Sequence, residues 1–411
     1  MTAAFTLLAL VGLTGVAGAF TLAEWERYGN MVPTYDARSL AMGGAGVASA
    51  EGARGLNLNP ALLGKTEAID VALNGMVVVA EEAREVPLHD SFDGIIAYNT
   101  YAFNAGVYDR YSAAVAFKAM TVTIEGAELG TGVGIGYYPT IDMSYNYHVQ
   151  YRDPDSQAEP ADKILYDYYL EGDGGVNAFT VGVGQEVVSG VYLGLGVDFL
   201  RGQYDVTKRW AYPPNSDQQD EDSKSEHNDV QGTRFALGLM AERFHRFDLA
   251  VVYRSSFELT GEYTNRPAGA EASSSSDFKY KYPDAMVLGV EYRPRNLLMT
   301  RVDLDVEYVN WSGFEDDTPG SNPKLDDTVT YRIGVEHGFF DNTMARFGFS
   351  YEPSYVDKRS STAAFSIGLG MDVVGVRVDL AGQVGVREYE IDEGRVRETT
   401  TVAVATVTHT F

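Results

Sequence analysis

The chain has 411 residues, 58 acidic against 32 basic side chains, a net charge of −26 and no cysteine. That balance excludes a nucleic-acid partner, whose phosphates select Lys and Arg. The missing thiols exclude both a disulfide framework and a thiolate metal site.

Residues 1–19 read as a secretory signal. Phe5 to Val16 is apolar, and Ala17-Gly18-Ala19 has the small-residue pattern of a cleavage site. Met1-Thr2-Ala3-Ala4 carries no Lys or Arg, so either the true start lies upstream or the segment is not a signal; the first is the expectation, with the mature chain from about Phe20. Residues 20–66 contain Trp25, Pro33, a glycine cluster and Asn59-Pro60, with no sustained alternation. The segment is too short for an independent domain. It is either a periplasmic tail or a plug inside a larger structure, and its apolar and small residues argue against disorder.

After residue 67 the pattern has period two, most clearly in the second half of the chain. In the stretch from Met299 to Trp311, Arg301, Asp303, Asp305 and Glu307 share one face, and Val302, Leu304, Val306 and Tyr308 share the other. Asp327 to Phe339 sets Val329, Tyr331, Ile333 and Val335 against Thr330, Arg332, Gly334 and Glu336. One apolar and one charged face per strand means lipid outside and a wet interior. Eleven strands are expected after residue 174, at 175–187, 191–208, 230–242, 246–263, 283–293, 298–312, 327–340, 343–355, 362–373, 375–388 and 396–411. Short turns alternate with long loops, the longest at 153–174, 209–229, 264–282 and 313–326. No spanning helix is available after residue 20. The expected fold is therefore all-β: a transmembrane antiparallel up-and-down barrel in the outer membrane of a Gram-negative bacterium, crossed many times by residues 67–411. Parity requires three or five strands before loop 153–174, hence about 14 or about 16 in all.

The N-terminal block Arg38-Ser39-Leu40-Ala41-Met42-Gly43-Gly44-Ala45-Gly46-Val47-Ala48, followed by Asn59-Pro60-Ala61, resembles the hatch of FadL-type outer-membrane transporters. Further blocks of the same resemblance are Tyr282 to Tyr292 with Trp311-Ser312-Gly313-Phe314, and Tyr331 to Glu336 with Arg346 to Phe349 and Tyr351-Glu352-Pro353. The resemblance implies a barrel of about 14 strands with residues 20–66 as an internal plug. It also implies passive passage of a hydrophobic small molecule, such as a long-chain fatty acid or a hydrocarbon, leaving sideways through a gap in the wall. Related families that share the Met-Gly-Gly-Ala start include outer-membrane anchors or shuttles of secretion systems. That function is the alternative, with a structural or adhesive surface barrel as a third.

Candidate site residues fall into three groups. The plug motif is Gly43, Gly44, Gly46, Asn59, Pro60 and Ala61: glycines allow positive φ and close backbone approach, and Pro60 fixes Asn59 as extended. Arg301, Asp303, Asp305, Glu307, Arg332, Glu336, Arg377 and Asp379 are expected to point inward as a lumenal charge network. Ile164-Leu165-Tyr166-Asp167-Tyr168-Tyr169-Leu170 is apolar for an exposed connection. It reads either as a short helix on the rim or as a hydrophobic capture loop, through Ile164, Leu165, Tyr166, Tyr168, Tyr169 and Leu170.

Asp217, Asp220, Glu221, Asp222, Glu226 and Asp229 make loop 209–229 acidic, read as a solvated loop or as a cation bridge to lipopolysaccharide. The chain lacks hydrolase-elbow, phosphate-loop and zinc-helix motifs, and its six histidines are scattered. A non-enzymatic protein without metal or cofactor is expected. Its expected partners are a hydrophobic ligand, outer-membrane lipid and lipopolysaccharide, and the barrel-assembly machinery through the terminal Phe411. A monomer is expected.

Overall fold

The computed structural model describes residues 28–411 except 33, 93, 125–126, 153–163, 271, 297–298, 319–320, 340–341, 358–359 and 392–393. The expected signal segment 1–19 and residues 20–27 of the expected plug lie outside the described residues.

Fourteen antiparallel strands close on themselves. They are β1 (Asp70–His89), β2 (Ile95–Ile124), β3 (Ala127–Asp142, resumed at Tyr145–Arg152), β4 (Ile164–Val188), β5 (Val191–Ala211), β6 (Glu221–Phe244), β7 (Phe247–Arg254 and Phe257–Arg266), β8 (Ser274–Tyr282 and Ala285–Tyr292), β9 (Arg301–Val309, with Glu315–Asp316 beyond it), β10 (Thr328–Phe339), β11 (Thr343–Pro353), β12 (Ser361–Val373), β13 (Val376–Ile391) and β14 (Gly394–Thr410). Closure is made by β14 against β1, from Thr410↔Asp70 to Arg395↔Glu85. Exactly three strands precede residues 153–163, so the count is 14 and not 16.

Alternation produces the two faces. Leu193, Leu195 and Phe199 of β5 are exposed beside Leu239, Leu237 and Phe235 of β6, and Phe365, Ile367 and Leu369 of β12 continue the same greasy surface. These side chains meet lipid, whose hydrocarbon cannot satisfy backbone polar groups, so the ladders must do so.

Several expected loops are strands. The expected loop 209–229 shrinks to 212–220, and Glu221 to Asp229 belong to β6. There Lys224 pairs with Asp205 and Glu226, and Asp222 pairs with Arg266, so the acids are spread along a ladder and part-neutralised. Among the described residues no carboxylate or histidine group is placed to hold a metal. Residues 274–282, expected in a loop, are half of β8, and the expected single strand 246–263 is broken at Ser255-Ser256. Polar, charged sequence above the bilayer can pair as well as apolar sequence, because the extracellular extensions stand in water and need no greasy face.

Inside the barrel lies the chain from Tyr28 to Thr66. It runs through α1 (Ala37–Ala41), a turn at Gly43–Gly44, a 3-10 turn (Gly52–Arg54), α2 (Gly55–Leu58) and a second 3-10 segment (Pro60–Lys65). Asp36 caps α1 by accepting from the Ser39 amide at 3.0 Å. Inward-facing glycines of the wall make the room. A Cβ added at Gly348 of β11 would strike the Gly43 amide nitrogen, and one at Gly194 of β5 would strike that of Ala61. Gly348→Val should therefore expel the 43–46 turn from its seat. Limited trypsin digestion of the detergent-solubilised protein checks this: cleavage at Arg38 should appear in the variant and be absent from the parent.

Candidate functional site

The plug is held by hydrogen bonds and ion pairs to many strands. Asn59 accepts from the Ala61 amide at 3.0 Å, capping the 3-10 turn that Pro60 begins, and donates to the carbonyls of Val47 at 2.9 Å and Leu239 of β6 at 3.4 Å. Gly43 and Gly44 adopt φ of +71° and +85°, which a side chain would strain. The Gly46 and Val47 amides donate to Asp305 at 2.8 and 3.2 Å. The motif residues thus lie at two of the places where the plug comes closest to the wall backbone.

The expected inward charges all find partners, in two ion-pair groups and one set of plug amides. Arg38 of α1 donates to Glu336 at 3.1 Å, Arg346 of β11 to Glu336 and Asp379 at 2.6 Å each, and Arg377 to Asp379 at 3.4 Å. Ser49 bonds Asp303, Arg301 reaches Glu51 at 3.0 Å, and Arg332 pairs with Glu307 at 2.7 Å. The alternating pattern made the wall members readable. Arg38 and Arg346 were not singled out, although Arg346 shares the inward parity of Ser350 and Gly348.

Above the plug is a cavity of about 310 Å³. Tyr35, Val47, Phe257, Trp311, Tyr355 and Val402 give it apolar walls; Arg234, Arg254, Arg332, Glu307 and Glu352 give it a charged side. Those cations are engaged: Arg234 pairs with Asp198 at 2.7 Å, and Arg254 donates to the carbonyls of Asn57 and Leu58 at 3.2 and 3.3 Å. An aromatic cluster roofs the cavity. Trp311 stacks on Tyr355 at 3.9 Å, Phe257 on Tyr282 at 5.0 Å, and Tyr28 leans on Phe314 at 4.0 Å.

The wall is not uniform. The β2–β3 ladder runs from Ile124↔Ala127 to Ala113↔Tyr137 and stops. Beyond it, β3 turns inward and residues 138–145 are all buried. The plug supplies the missing neighbour, with Asn30↔Asp142 and Met31↔Ile141 in register and the Val32 amide donating to Thr140 at 3.1 Å. Side chains bridge the resulting seam: Arg110 of β2 pairs with Asp142 and donates to Ser144 at 3.0 Å, and Asn104 accepts from the His148 amide at 2.8 Å. The resemblance implies a gap in the wall, but sequence reasoning does not place it. Its signal is Pro139, which cannot donate to a ladder and sits at the register shift of β3.

The stretch 164–170 is neither a helix nor a loop; it is the first turn-side portion of β4, above the membrane. Period-two pairing wins because its rings stack across strands: Tyr169 on His148 at 4.4 Å, and Tyr168 against Trp210 at 5.4 Å. Leu165 is exposed and Leu170 buried. Phe411 is exposed at the periplasmic rim, its amide donating to Ile69 at 2.9 Å.

A closed barrel, greasy outside, filled by its own N-terminal segment and interrupted by a side seam, has the fold of the FadL-type outer-membrane channels. The chain belongs to the BamG family, whose model matches residues 27–399. No curated protein matches it. Among solved structures, a Pseudomonas aeruginosa FadL homologue is 13% identical with a TM-score of 0.64, over 93% of this chain and 100% of that one. The P. putida toluene transporter TodX is 17% identical with a TM-score of 0.64, over 92% and 99%. The Ralstonia pickettii toluene transporter TbuX is 17% identical with a TM-score of 0.61, also over 92% and 99%. At these identities the likeness is one of fold.

Arg346 is fully buried between two carboxylates. Arg346→Met should cost roughly 3–5 kcal/mol, because Glu336 and Asp379 lose their shared cation without regaining water. Urea unfolding in detergent, compared with the parent, measures it.

Proposed function

We propose that this barrel passively admits hydrophobic or amphipathic small molecules, long-chain fatty acids or hydrocarbons among them, from outside into the lumenal cavity and releases them sideways through the β2–β3 seam. The observation that carries this reading is the coincidence of cavity and seam. Thr140 lines the cavity and lies just beyond Tyr137, where β3 leaves its ladder with β2, in the stretch that pairs with the plug instead. Between that stretch and β2 the wall is bridged by side chains rather than by a backbone ladder. The plug closes the straight path to the periplasm, since Asn59 to Lys65 pack on β3, β4, β5 and β6. The chemistry is binding and diffusion, with no bond made or broken. The aromatic roof and the apolar wall suit a hydrocarbon body, and the charged side suits a polar end.

Uptake of a labelled long-chain fatty acid and of labelled toluene by cells with and without the gene tests the reading. Faster uptake of either with the gene is expected; equal uptake of both would contradict it. Arg110→Ala should raise the faster rate by roughly tenfold, the shift expected when a charge-assisted contact of about 1.5 kcal/mol no longer holds the seam shut.

A further inference from the structure

The outer wall has a recess where β7 and β8 change direction together. β6 pairs with the first half of β7 as far as Ala236↔Arg254 and resumes with its second half at Thr260↔Gln231. Residues 232–235 of β6 therefore stand against residues 255–259 of β7, one more on the β7 side, which is a bulge. β8 breaks at the same level, between Tyr282 and Ala285. At the break Phe257 and Tyr282 turn inward, where they are buried and stacked in the cavity roof. Outside, the bend leaves a recess of about 560 Å³, lined by Arg201 of β5, Gln231 and Thr233 of β6, Ser256 and Glu258 of β7 and Lys281 of β8.

The recess sits where the outward face changes from apolar to polar. On β5 the exposed row Leu193, Leu195 and Phe199 begins just after the short turn at 189–190 and gives way to exposed Arg201. Residues 191–199 are about the nine to eleven that a tilted strand needs to cross hydrocarbon. On β6 the exposed row Leu239, Leu237 and Phe235 gives way at Thr233 and Gln231, and Gln231 is in register with Arg201. Short turns belong on the periplasmic side, so the change marks the level of the outer leaflet's headgroups.

The lining suits an anion. Its one carboxylate, Glu258, is paired with Lys279 at 2.7 Å, and Lys281 is paired with Glu315. Arg201 has no ion pair among the described residues and gives one N–H to the carbonyl of its neighbour Leu200 at 2.8 Å. The side chains of Gln231, Thr233 and Ser256 make no hydrogen bond among the described residues. An arginine fork with uncommitted hydroxyl and amide donors beside it matches the oxygens of a phosphate. Phe199 and Phe235 lie on the membrane side of Arg201 and Thr233, an apolar bed for acyl chains.

We propose that this recess binds a phosphorylated lipid of the outer leaflet, lipopolysaccharide through its lipid A. Arg201 is the cation for the phosphate, Gln231, Thr233 and Ser256 donate around it, and the acyl chains run along Phe199 and Phe235. The site is on the outside of β5–β8 and does not depend on what the lumen carries.

Native mass spectrometry of the purified barrel in a non-ionic detergent tests this, with lipid A, dephosphorylated lipid A and inorganic phosphate as the probes. Lipid A should be retained as an adduct. Its dephosphorylated form should bind at least about tenfold more weakly, the loss expected for a charge-assisted contact. Inorganic phosphate at the same concentration should not displace the lipid. Arg201→Gln should weaken lipid A binding by about the same tenfold, while Arg209→Gln, at an exposed arginine further along β5, should leave it unchanged. Heat-modifiable mobility on gels shows that each variant still folds as a barrel; should Arg201→Gln not fold, the comparison of the two lipids on the parent protein decides alone. Equal binding of the dephosphorylated lipid, unchanged binding in folded Arg201→Gln, equal losses in the two variants, or displacement of lipid A by inorganic phosphate would each overturn the proposal. Uptake is not part of the readout, so a failure here is distinct from a failure of the transport reading.

Discussion

In hydrocarbon a backbone amide has no water to turn to, and the whole architecture answers to that constraint. It forces strands into a closed ladder, forces the closure of β14 on β1, and makes every second residue greasy. It also makes any lapse in the ladder informative. The largest lapse lies between β2 and β3, where the N-terminal segment and a few side chains take over work that elsewhere belongs to the backbone.

The interior obeys a different rule. Once the wall is closed, the lumen must be filled, and filling it with chain means bringing polar backbone and charge into a confined space. The wall recedes at glycines where the plug backbone comes closest. The buried Asp305 carboxylate accepts the plug amides of Gly46 and Val47, and arginines of plug and wall pair with buried wall carboxylates. A buried pair adds little stability over apolar packing, but a broken one costs much. These pairs are thus better understood as fixing where the plug sits than as making the barrel strong.

Much of this could be read from residues alone. Alternation in the second half of the chain, as at Arg301 to Tyr308, located both faces and the inward charges, because period two is the direct imprint of a half-wet sheet. The Gly43–Gly46 cluster and Asn59-Pro60 marked the plug through the backbone geometries they permit. Residues above the membrane were misread, as at 164–170 and 221–229, because strands standing in water lose the greasy face that identifies them. The position of the seam was also hidden. Pro139 hints at it, yet the inward turn of β3 is a tertiary fact, visible only once Asn30 and Met31 occupy the place that β2 vacates.

The account depends most on the claim that the lumen communicates with the outside of the wall through the β2–β3 seam. Because the chain has no cysteine, Asn104→Cys and His148→Cys can be joined across the seam with a short thiol-reactive crosslinker without side reactions within the protein. Passage of a labelled hydrophobic ligand through the purified barrel in vesicles should fall when the link is made and return when a cleavable linker is cut. Undiminished passage through the linked barrel would contradict the account.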